Sequence, residues 1–359
     1  MRKRIRFAIL AIASLLISGC AAQGPPHPPR IEKPERITDL AAFQVGRTIE
    51  LTLTLPTLAT DGEGLSKPLE LQVFRVITPA GQKPAAPAAE PQPWLTLLPR
   101  DFARYQRGDK IVYPDQLSNQ EYSQWLGATF AFAADGLTRG FRRRPVVSEP
   151  SNRAVVTLLD VSPPVESLRC ETTEHALDLS WAASTATLGG RPLHDLAGYR
   201  VFRSDSATGP FDLRGETADA SFRDPDFQFD HSYVYKVRAL FNSGGSGSHL
   251  AESEDSKPCD ITPRDIFPPG APSGLSGIST AAGVELIWNV NTEPDLAGYN
   301  VYRREGEGTA RKLNSGLVGT PLYRDTTVEA ERRYTYWVTA VDTAGNESAP
   351  SAVTVVEAH

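Results

Sequence analysis

An internal repeat constrains this chain more than any other feature of its sequence. Five landmarks occur in the same order twice: Trp181 and Trp288, the pentapeptide DLAGY at 195–199 and 295–299, Arg203 and Arg303, the Arg-Asp pairs at 223–224 and 324–325, and the Tyr-x-Tyr segments that begin at Tyr233 and Tyr334. The tryptophans lie 107 residues apart and the pentapeptides 100, so the first copy holds seven extra residues between these landmarks. The repeat predicts two copies of one small domain, with the extra residues in a loop.

Alternation of apolar and polar residues predicts what each copy is made of. It is clear at 49–55, 69–73, 177–181 and 284–288. A period of two puts the apolar side chains on one face of a β-strand. Short strands of this kind between Gly, Pro, Asn and Asp turns predict an all-β chain of antiparallel sandwiches, without a convincing helical pattern. Leu51, Leu179 and Leu286 are expected in the core.

The N-terminus resembles a bacterial lipoprotein signal peptide. A basic start is followed by a short apolar run and by the sequence Ile-Ser-Gly-Cys at 17–20, and the run is too short to cross a bilayer comfortably. The resemblance implies cleavage after residue 19 and lipidation of Cys20. The alternative is a plain secretory signal with an accidental cysteine. The Pro-rich segment 20–33 is expected to be an extended tether.

This resemblance also implies a location. The lipid anchor would hold the chain in a bacterial cell membrane or outer membrane, facing the periplasm or the exterior, and several acyl chains would make that attachment stable. The chain has 37 basic and 43 acidic residues, a formal charge of −6, and without the four basic residues of the signal the charge is −10. Such an acidic balance argues against nucleic acid as a partner.

The two repeats, 161–264 and 265–359, resemble fibronectin type III modules. The resemblance is carried by the Pro-Pro entries at 163–164 and 268–269, the tryptophans, the Gly-Tyr-x-Val-[Phe/Tyr]-Arg strands and the Tyr-x-Tyr-x-Val-x-Ala strands. It implies an immunoglobulin-like sandwich for each repeat. It also implies that Trp181 and Trp288 anchor the cores, and that Tyr233 and Tyr334 hydrogen-bond back to upstream backbone as tyrosine corners.

Residues 34–160 are expected to form a third, divergent module of the same kind. The entry at 34–40 and the strand at 48–56 match the repeats, but Leu53 stands where a tryptophan should be and the Tyr-x-Tyr pair is missing. An Ala- and Pro-rich insertion at 79–93 is expected to be a mobile loop. Five aromatic residues follow it in a half that reads as irregular: Trp94, Tyr105, Tyr113, Tyr122 and Trp125.

Two cysteines remain after Cys20, and both lie in the first repeat. Cys170 is near its start and Cys259 near its end. Because the first and last strands of a sandwich are close together, and exported proteins form disulfides, a Cys170–Cys259 bridge is predicted. Two separate buried thiols are the alternative.

Motifs for catalysis, cofactors and metals are missing from the sequence. The histidines show no ligand spacing, and no P-loop, nucleophile elbow or dinucleotide fingerprint occurs. We therefore expect no catalytic residues, no cofactor and no metal site. Arg142, Arg143 and Arg144 could contact acidic glycans or lipid headgroups, and the alternative for them is a polar hairpin between two strands.

These features predict a non-catalytic envelope lipoprotein that acts as a protein-interaction scaffold or spacer for other envelope proteins. The alternative is polysaccharide recognition, since fibronectin type III modules often accompany polysaccharide-degrading enzymes. That alternative predicts exposed aromatic side chains in a row, for which Trp94 and Trp125 are the candidates.

Overall fold

The computed structural model describes residues 30–83, 92–242 and 250–359. It divides into two compact units, Met1–Leu158 and Leu159–His359. The signal segment, Cys20, most of the tether, and residues 84–91 of the insertion lie outside the described residues. Among the described residues, none of the helices has the length and apolar character needed to span a bilayer.

The first unit consists of two antiparallel sheets. Its strands are β1 (Ala41–Val45), β2 (Thr48–Thr54), β3 (Glu70–Thr78), β4 (Leu95–Leu97), β5 (Gln106–Arg107), β6 (Lys110–Gln116), β7 (Thr129–Arg139), β8 (Pro145–Val147) and β9 (Ala154–Thr157). One sheet has the order β1-β2-β6-β5 and the other β4-β3-β7-β8, with β9 also on β7. The predicted core residue Leu51 is buried on β2 between Ile49 and Leu53.

Two short helices occur in this otherwise all-β unit, and the sequence showed no helical pattern for either. They are α1 (Pro99–Tyr105) and α2 (Asn119–Trp125). The side chain of Ser118 accepts a hydrogen bond from the Glu121 backbone N–H, and the Glu121 carboxylate accepts one from the Ser118 N–H. This capping box starts α2 locally, and seven residues are too few for a helical period to be visible in the sequence. The half after the insertion is therefore ordered, with Tyr113 on β6.

The second unit repeats the two-sheet arrangement twice. The first copy contains β10 (Glu166–Thr172), β11 (Leu177–Ala182), β12 (Leu196–Ser204), β13 (Asp212–Thr217), β14 (Ser221–Asp224), β15 (Tyr233–Asn242), β16 (Leu250–Glu252) and β17 (Cys259–Ile261). One sheet is β10-β11-β14, and the other is β13-β12-β15, with β16 and β17 both on β15. We call this copy the second sandwich.

The third sandwich, the second copy of the repeat, contains β18 (Ser276–Thr280), β19 (Gly283–Ile287), β20 (Leu296–Glu305), β21 (Arg311–Lys312), β22 (Leu322–Asp325), β23 (Arg333–Asp342) and β24 (Thr354–Glu357). Its sheets are β18-β19-β22 and β21-β20-β23-β24. Leu179 and Leu286, which alternation assigned to the core, are buried in their respective sandwiches. The extra residues of the first copy lie in the loop between β11 and β12, so the all-β fold and the loop insertion are both confirmed.

Candidate functional site

The tryptophan of each repeat is buried against a tyrosine of the opposite sheet. Trp181 meets Tyr199 edge to face at 5.3 Å between ring centroids, and Trp288 meets Tyr299 at 5.2 Å. The hydroxyl of Tyr199 accepts a hydrogen bond from a loop backbone N–H, as does that of Tyr299. These rings therefore tie the two sheets and the loop before β12 or β20 together.

Tyr233 and Tyr334 each hold the chain just before their own strand. The Tyr233 hydroxyl accepts a hydrogen bond from the Gln228 N–H at 2.9 Å, and the Tyr334 hydroxyl accepts one from the Glu329 N–H at 3.1 Å. In both cases the bond spans five residues. This is the geometry of a tyrosine corner.

A buried arginine–aspartate–tyrosine cluster recurs in both repeats, and sequence reasoning gave these residues no role. In the second sandwich Asp224 accepts hydrogen bonds from Arg203 at 2.9 Å and from the Tyr235 hydroxyl at 2.8 Å. In the third, Asp325 accepts them from Arg303 at 2.7 Å and from the Tyr336 hydroxyl at 3.0 Å. The recurrence of the Arg-Asp dipeptide in both repeats was the sequence signal that could have pointed to this cluster.

Electrostatics keep both aspartates of these clusters ionised. Burial raises the pKa of Asp224, but hydrogen bonds from Arg214 and Tyr235 outweigh it and leave the pKa below its usual value. Burial likewise raises the pKa of Asp325, and its hydrogen bonds, first of all from Thr327, lower it overall. Burial and the neighbouring carboxylate raise the pKa of Tyr235. These groups are therefore held in fixed charge states by their partners.

Pairs of serines three residues apart lock the last segment of each module to the neighbouring strand, and sequence reasoning missed them. Each serine donates its backbone N–H to a carbonyl of β7, β15 or β23 and accepts, on Oγ, the N–H of the same strand residue. The serines are Ser148 and Ser151, Ser253 and Ser256, and Ser348 and Ser351. The Ser-x-x-Ser spacing also occurs in the first unit. It is therefore a sequence feature that the first unit shares with the two repeats.

A disulfide joins Cys170 on β10 to Cys259 on β17. The bonded residues lie 6.4 Å apart at Cα and 89 apart in sequence. The bridge connects the two sheets of the second sandwich, since β10 and β17 belong to different sheets. Closing a loop of this length removes roughly 4 kcal/mol of unfolded-state entropy in the chain-entropy model.

The three predicted arginines lie at the tip of a hairpin. Arg142, Arg143 and Arg144 are exposed between β7 and β8, and Arg142 lies over the exposed ring of Phe141 at 5.3 Å. Among the described residues, no carboxylate forms an ion pair with any of the three. Their neighbour Arg139 differs, because it forms a bidentate pair with Glu70.

The predicted aromatic candidates Trp94 and Trp125 do not form a common surface. Both are half-buried. The Trp94 ring contacts Tyr113 and Phe132, and Arg75 lies over it at 4.1 Å. Trp125 is the last residue of α2, and no ring contact joins it to Trp94 in the part of the chain that the structure describes.

A parallel aromatic pair lies instead on the outward face of the third sandwich. Tyr302 on β20 and Trp337 on β23 are direct cross-strand partners, and their rings are 5.6 Å apart with 6° between their planes. Both are partly exposed. Residues of a strand alternate between its two faces, and Tyr334, Tyr336 and Val338 point inward. Trp337 must therefore point outward, and this alternation could have identified it from the sequence.

Three polar side chains beside this pair converge on one carboxylate oxygen. Glu347 Oε1 accepts hydrogen bonds from the Tyr302 hydroxyl at 2.8 Å, from Thr339 Oγ1 at 2.5 Å and from Asn300 Nδ2 at 3.1 Å. Burial raises the pKa of Glu347, and these three hydrogen bonds lower it overall. Lys312, opposite Tyr302 on β21, is exposed.

The same face of the second sandwich is covered by ion pairs. Arg238 pairs with Glu252 at 2.9 Å and with Asp255 at 2.5 Å, and its guanidinium lies over the Phe202 ring at 5.0 Å. Arg200 pairs with both Glu216 and Glu252. Arg238 thus covers the aromatic ring of this face and is itself held by two carboxylates.

One group of carboxylates comes together that the sequence did not single out. Ligand atoms of Asp265, Asp295 and Asp342 lie within 4.8 Å of one another. Asp342 accepts hydrogen bonds from the Asn346 backbone N–H and from its amide, at 2.8 and 2.7 Å, and the same amide reaches the Asp265 backbone carbonyl at 3.3 Å. Asn346 therefore supplies protein donors to this cluster.

Comparison with known proteins gives partial matches. No family model matches the chain. Exoglucanase B of Cellulomonas fimi is 32% identical over 236 residues, which are 63% of this chain and 20% of that protein. An amylopullulanase of Thermoanaerobacterium saccharolyticum is 37% identical over 93 residues, 26% of this chain and 7% of that protein. The chain therefore spans a fifth or less of the length of either relative.

Among solved structures, the FN1–FN3 domains of chicken CNTN1 cover 90% of this chain at 14% identity, with a TM-score of 0.26 and 98% of that chain covered. In each sandwich the strands pair antiparallel within two sheets, as in immunoglobulin-like sandwiches. The chain is similar in sequence to parts of carbohydrate-active enzymes.

Proposed function

We propose that this chain is a non-catalytic lipoprotein of the bacterial cell envelope whose tandem fibronectin type III-like sandwiches associate with polysaccharide. The observation that carries the proposal is the identity of the relatives: the matched proteins are an exoglucanase and an amylopullulanase, and the match covers a fifth or less of each. A shared part of such enzymes is expected to serve their common substrate class.

The interior of the repeats supports a non-catalytic role. Arg203, Asp224 and Tyr235 form a closed cluster inside the second sandwich, and their counterparts do the same in the third. Each carboxylate is ionised and already accepts two or more hydrogen bonds, which suits a structural group. Recognition is therefore assigned to the surfaces.

Attachment to the membrane is proposed through Cys20. The support is the sequence, in which a short apolar run ends at Ile-Ser-Gly-Cys and is followed by a Pro-rich segment. Acyl chains on Cys20 would fix the N-terminus, and the tether would hold the sandwiches off the lipid surface.

A second candidate is a protein-interaction scaffold or spacer. Exposed apolar side chains on the sheet β18-β19-β22 favour it: Ile278 is 59% exposed, Ile287 55% and Leu322 51%. Ile287 and Leu322 are direct cross-strand partners, so they form one patch. Contiguous exposed apolar residues are one mark of a protein-interaction surface.

Affinity electrophoresis of the purified protein tests the proposal. Gels containing hydroxyethylcellulose or pullulan are expected to retard it, and no new reducing ends should form when the same polymers are incubated with it. Release of reducing ends would contradict the non-catalytic assignment. Unchanged mobility in both gels, with recovery of a stoichiometric envelope protein that is lost on Ile287→Asp, would favour the scaffold instead.

Membrane fractionation tests the anchor separately. Wild-type chain should sediment with membranes, and Cys20→Ser should move to the soluble fraction, because one sulfur carries the lipid. A Cys20→Ser chain that still sediments would remove the lipoprotein part of the proposal.

A further inference from the structure

The outward face of the sheet β21-β20-β23-β24 has an unusual composition for a surface of this acidic chain. Its centre is the parallel pair Tyr302 and Trp337. Beside the pair, Val355 is 46% exposed on β24, where it lies opposite Thr335 and diagonal to Trp337. Partly exposed aromatic and branched apolar side chains therefore adjoin on one face of the sheet.

Comparison with the second sandwich shows that the fold does not require this surface. The repeat places Phe202 where Tyr302 stands, and Lys236 where Trp337 stands. In the second sandwich Lys236 pairs with Asp255 at 3.3 Å, and Arg238 covers the Phe202 ring. Thr339 and Asn300 replace Arg238 and Arg200 in the third sandwich, so the guanidinium that covers the ring in the second sandwich is missing there.

Polar groups around the aromatic pair are left available for a ligand. Glu347 Oε1 is occupied by three donors, while Oε2 accepts no hydrogen bond among the described residues. Lys312 is exposed on the other side of Tyr302. Arg304, two residues further along β20 on the same face, is partly exposed and adds a second cation.

This combination fits one ligand chemistry. A pyranose ring presents C–H groups on its faces, which pack on aromatic rings, and hydroxyls at its rim, which exchange hydrogen bonds with carboxylates, amides and ammonium groups. The charges of this face are of both signs, with Glu347 acidic and Lys312 and Arg304 basic, so the face does not present one uniform charge to a ligand. A flat protein surface would gain from more apolar area than two rings and a valine supply.

We propose that the face formed by Tyr302, Trp337, Glu347 and Lys312 is a saccharide-binding site, with Trp337 and Tyr302 stacking on sugar rings of a neutral glucan. The inference rests on the proposed function and names the site that would carry it. Glu347 Oε2 accepts a hydrogen bond from one sugar hydroxyl, and the Lys312 ammonium group donates a hydrogen bond to another.

Titration of the purified full-length protein in detergent tests the site, with cellohexaose and maltohexaose as probes and tryptophan fluorescence and calorimetry as readouts. Wild type should bind at least one probe. Trp337→Ala and Tyr302→Ala should each weaken binding about tenfold or more, the scale of one ring-stacking contact. Trp337→Phe should retain most of the affinity.

Matched controls come from the repeat itself. Lys236→Ala and Phe202→Ala, at the equivalent positions of the second sandwich, should leave affinity within about twofold of wild type. Hydrogen exchange of β20 and β23 shows whether Trp337→Ala remains folded. If the Trp337→Ala variant is folded and binds with wild-type affinity, the proposed site is wrong and the proposed function still stands. No binding by wild type, together with unchanged mobility in the polysaccharide gels, would overturn both.

Discussion

The second and third sandwiches have nearly the same interior, but they carry different side chains at equivalent positions of the outward face. Inside, each has a tryptophan against a tyrosine, a tyrosine corner and a buried arginine–aspartate–tyrosine cluster, with distances that agree within a few tenths of an ångström. Outside, the second sandwich carries Arg200, Lys236 and Arg238 in ion pairs, whereas the third carries Asn300, Trp337 and Thr339 at the same positions.

This contrast separates what the fold needs from what it tolerates. A side chain pointing between the sheets must fill a defined space and satisfy every polar atom, so substitutions there are costly. A side chain pointing outward meets water and two or three neighbours. The repeats therefore diverge on the face where divergence costs little, and a difference there can reflect function.

The largest expected effect tests the claim that the interiors are equivalent. Asp224→Ala and Asp325→Ala each remove a buried carboxylate that a partly buried arginine and a buried tyrosine hydroxyl share, and each should cost about 3 kcal/mol in its own sandwich. Hydrogen exchange of β15 and β23 measures the two losses separately. Asp178→Ala breaks the exposed pair with Arg223 and should cost about 0–1 kcal/mol. A cost for Asp325→Ala no larger than that of Asp178→Ala would break the comparison.

Reduction of the disulfide should destabilise the second sandwich and leave the stability of the third unchanged. The second should lose roughly 4 kcal/mol when Cys170 and Cys259 are reduced or both replaced by alanine. The third has Gly277 and Thr354 at these positions, so its strands should exchange at unchanged rates with and without reductant. Equal loss in both would mean that the sandwiches unfold together.

Acid should destabilise both sandwiches, and the second more strongly. The pKa values of Asp224, Asp325 and Asp255 are all lowered in the folded chain. A carboxyl group whose pKa is lower in the folded chain stabilises the fold at any pH above its pKa in the unfolded chain, which is near 4. This stabilisation is lost as the pH falls through the pKa of the folded chain. Protonation of Asp255 additionally leaves Lys236 without its counter-charge and leaves Arg238 paired with Glu252 alone.

Hydrogen exchange of β15 and β23 between pH 5 and pH 3 measures this difference. Asp255→Asn should remove the additional loss of the second sandwich, because the amide does not titrate. If β23 loses protection sooner than β15, the ion pairs of the second sandwich do not stabilise it.

The smallest expected effect concerns the tyrosine corners. Tyr233→Phe and Tyr334→Phe each leave one backbone N–H without its acceptor and should each cost about 1–2 kcal/mol. Thermal unfolding followed by near-ultraviolet circular dichroism measures the change. Tyr302→Phe, which loses a hydroxyl on the outer face, is the control and should cost less than either.

Much of the fold could be predicted from residues that recur or alternate. Leu179, Leu286, Trp181 and Trp288 follow from the period of two and from the repeat, and all four are buried. Helix α2 could not be predicted, because a capping box and seven residues give too little periodic signal. The Ser-x-x-Ser pairs were missed because serine is common, and only hydrogen bonds to the adjacent strand distinguish these serines from others.

The candidate site was less accessible to prediction than the fold. Trp94 and Trp125 stood out because they lie outside the repeat, yet Arg75 covers Trp94 and no ring contact joins the two tryptophans among the described residues. Trp337 was assigned to a strand, and its outward direction was not used. The proposed site combines residues from three strands and one loop, and the register between strands cannot be deduced from the sequence of any one of them.

By itself the sequence determined an all-β chain with a repeated module, because alternation and repetition are properties of consecutive residues. The lipid anchor stays a prediction, made from a local motif. Tertiary structure alone decided which charges meet and which surfaces stay open. Asp255 meets Arg238 in one sandwich, and Tyr302 meets Trp337 in the other, because strand pairing sets contacts between residues that are far apart in the chain.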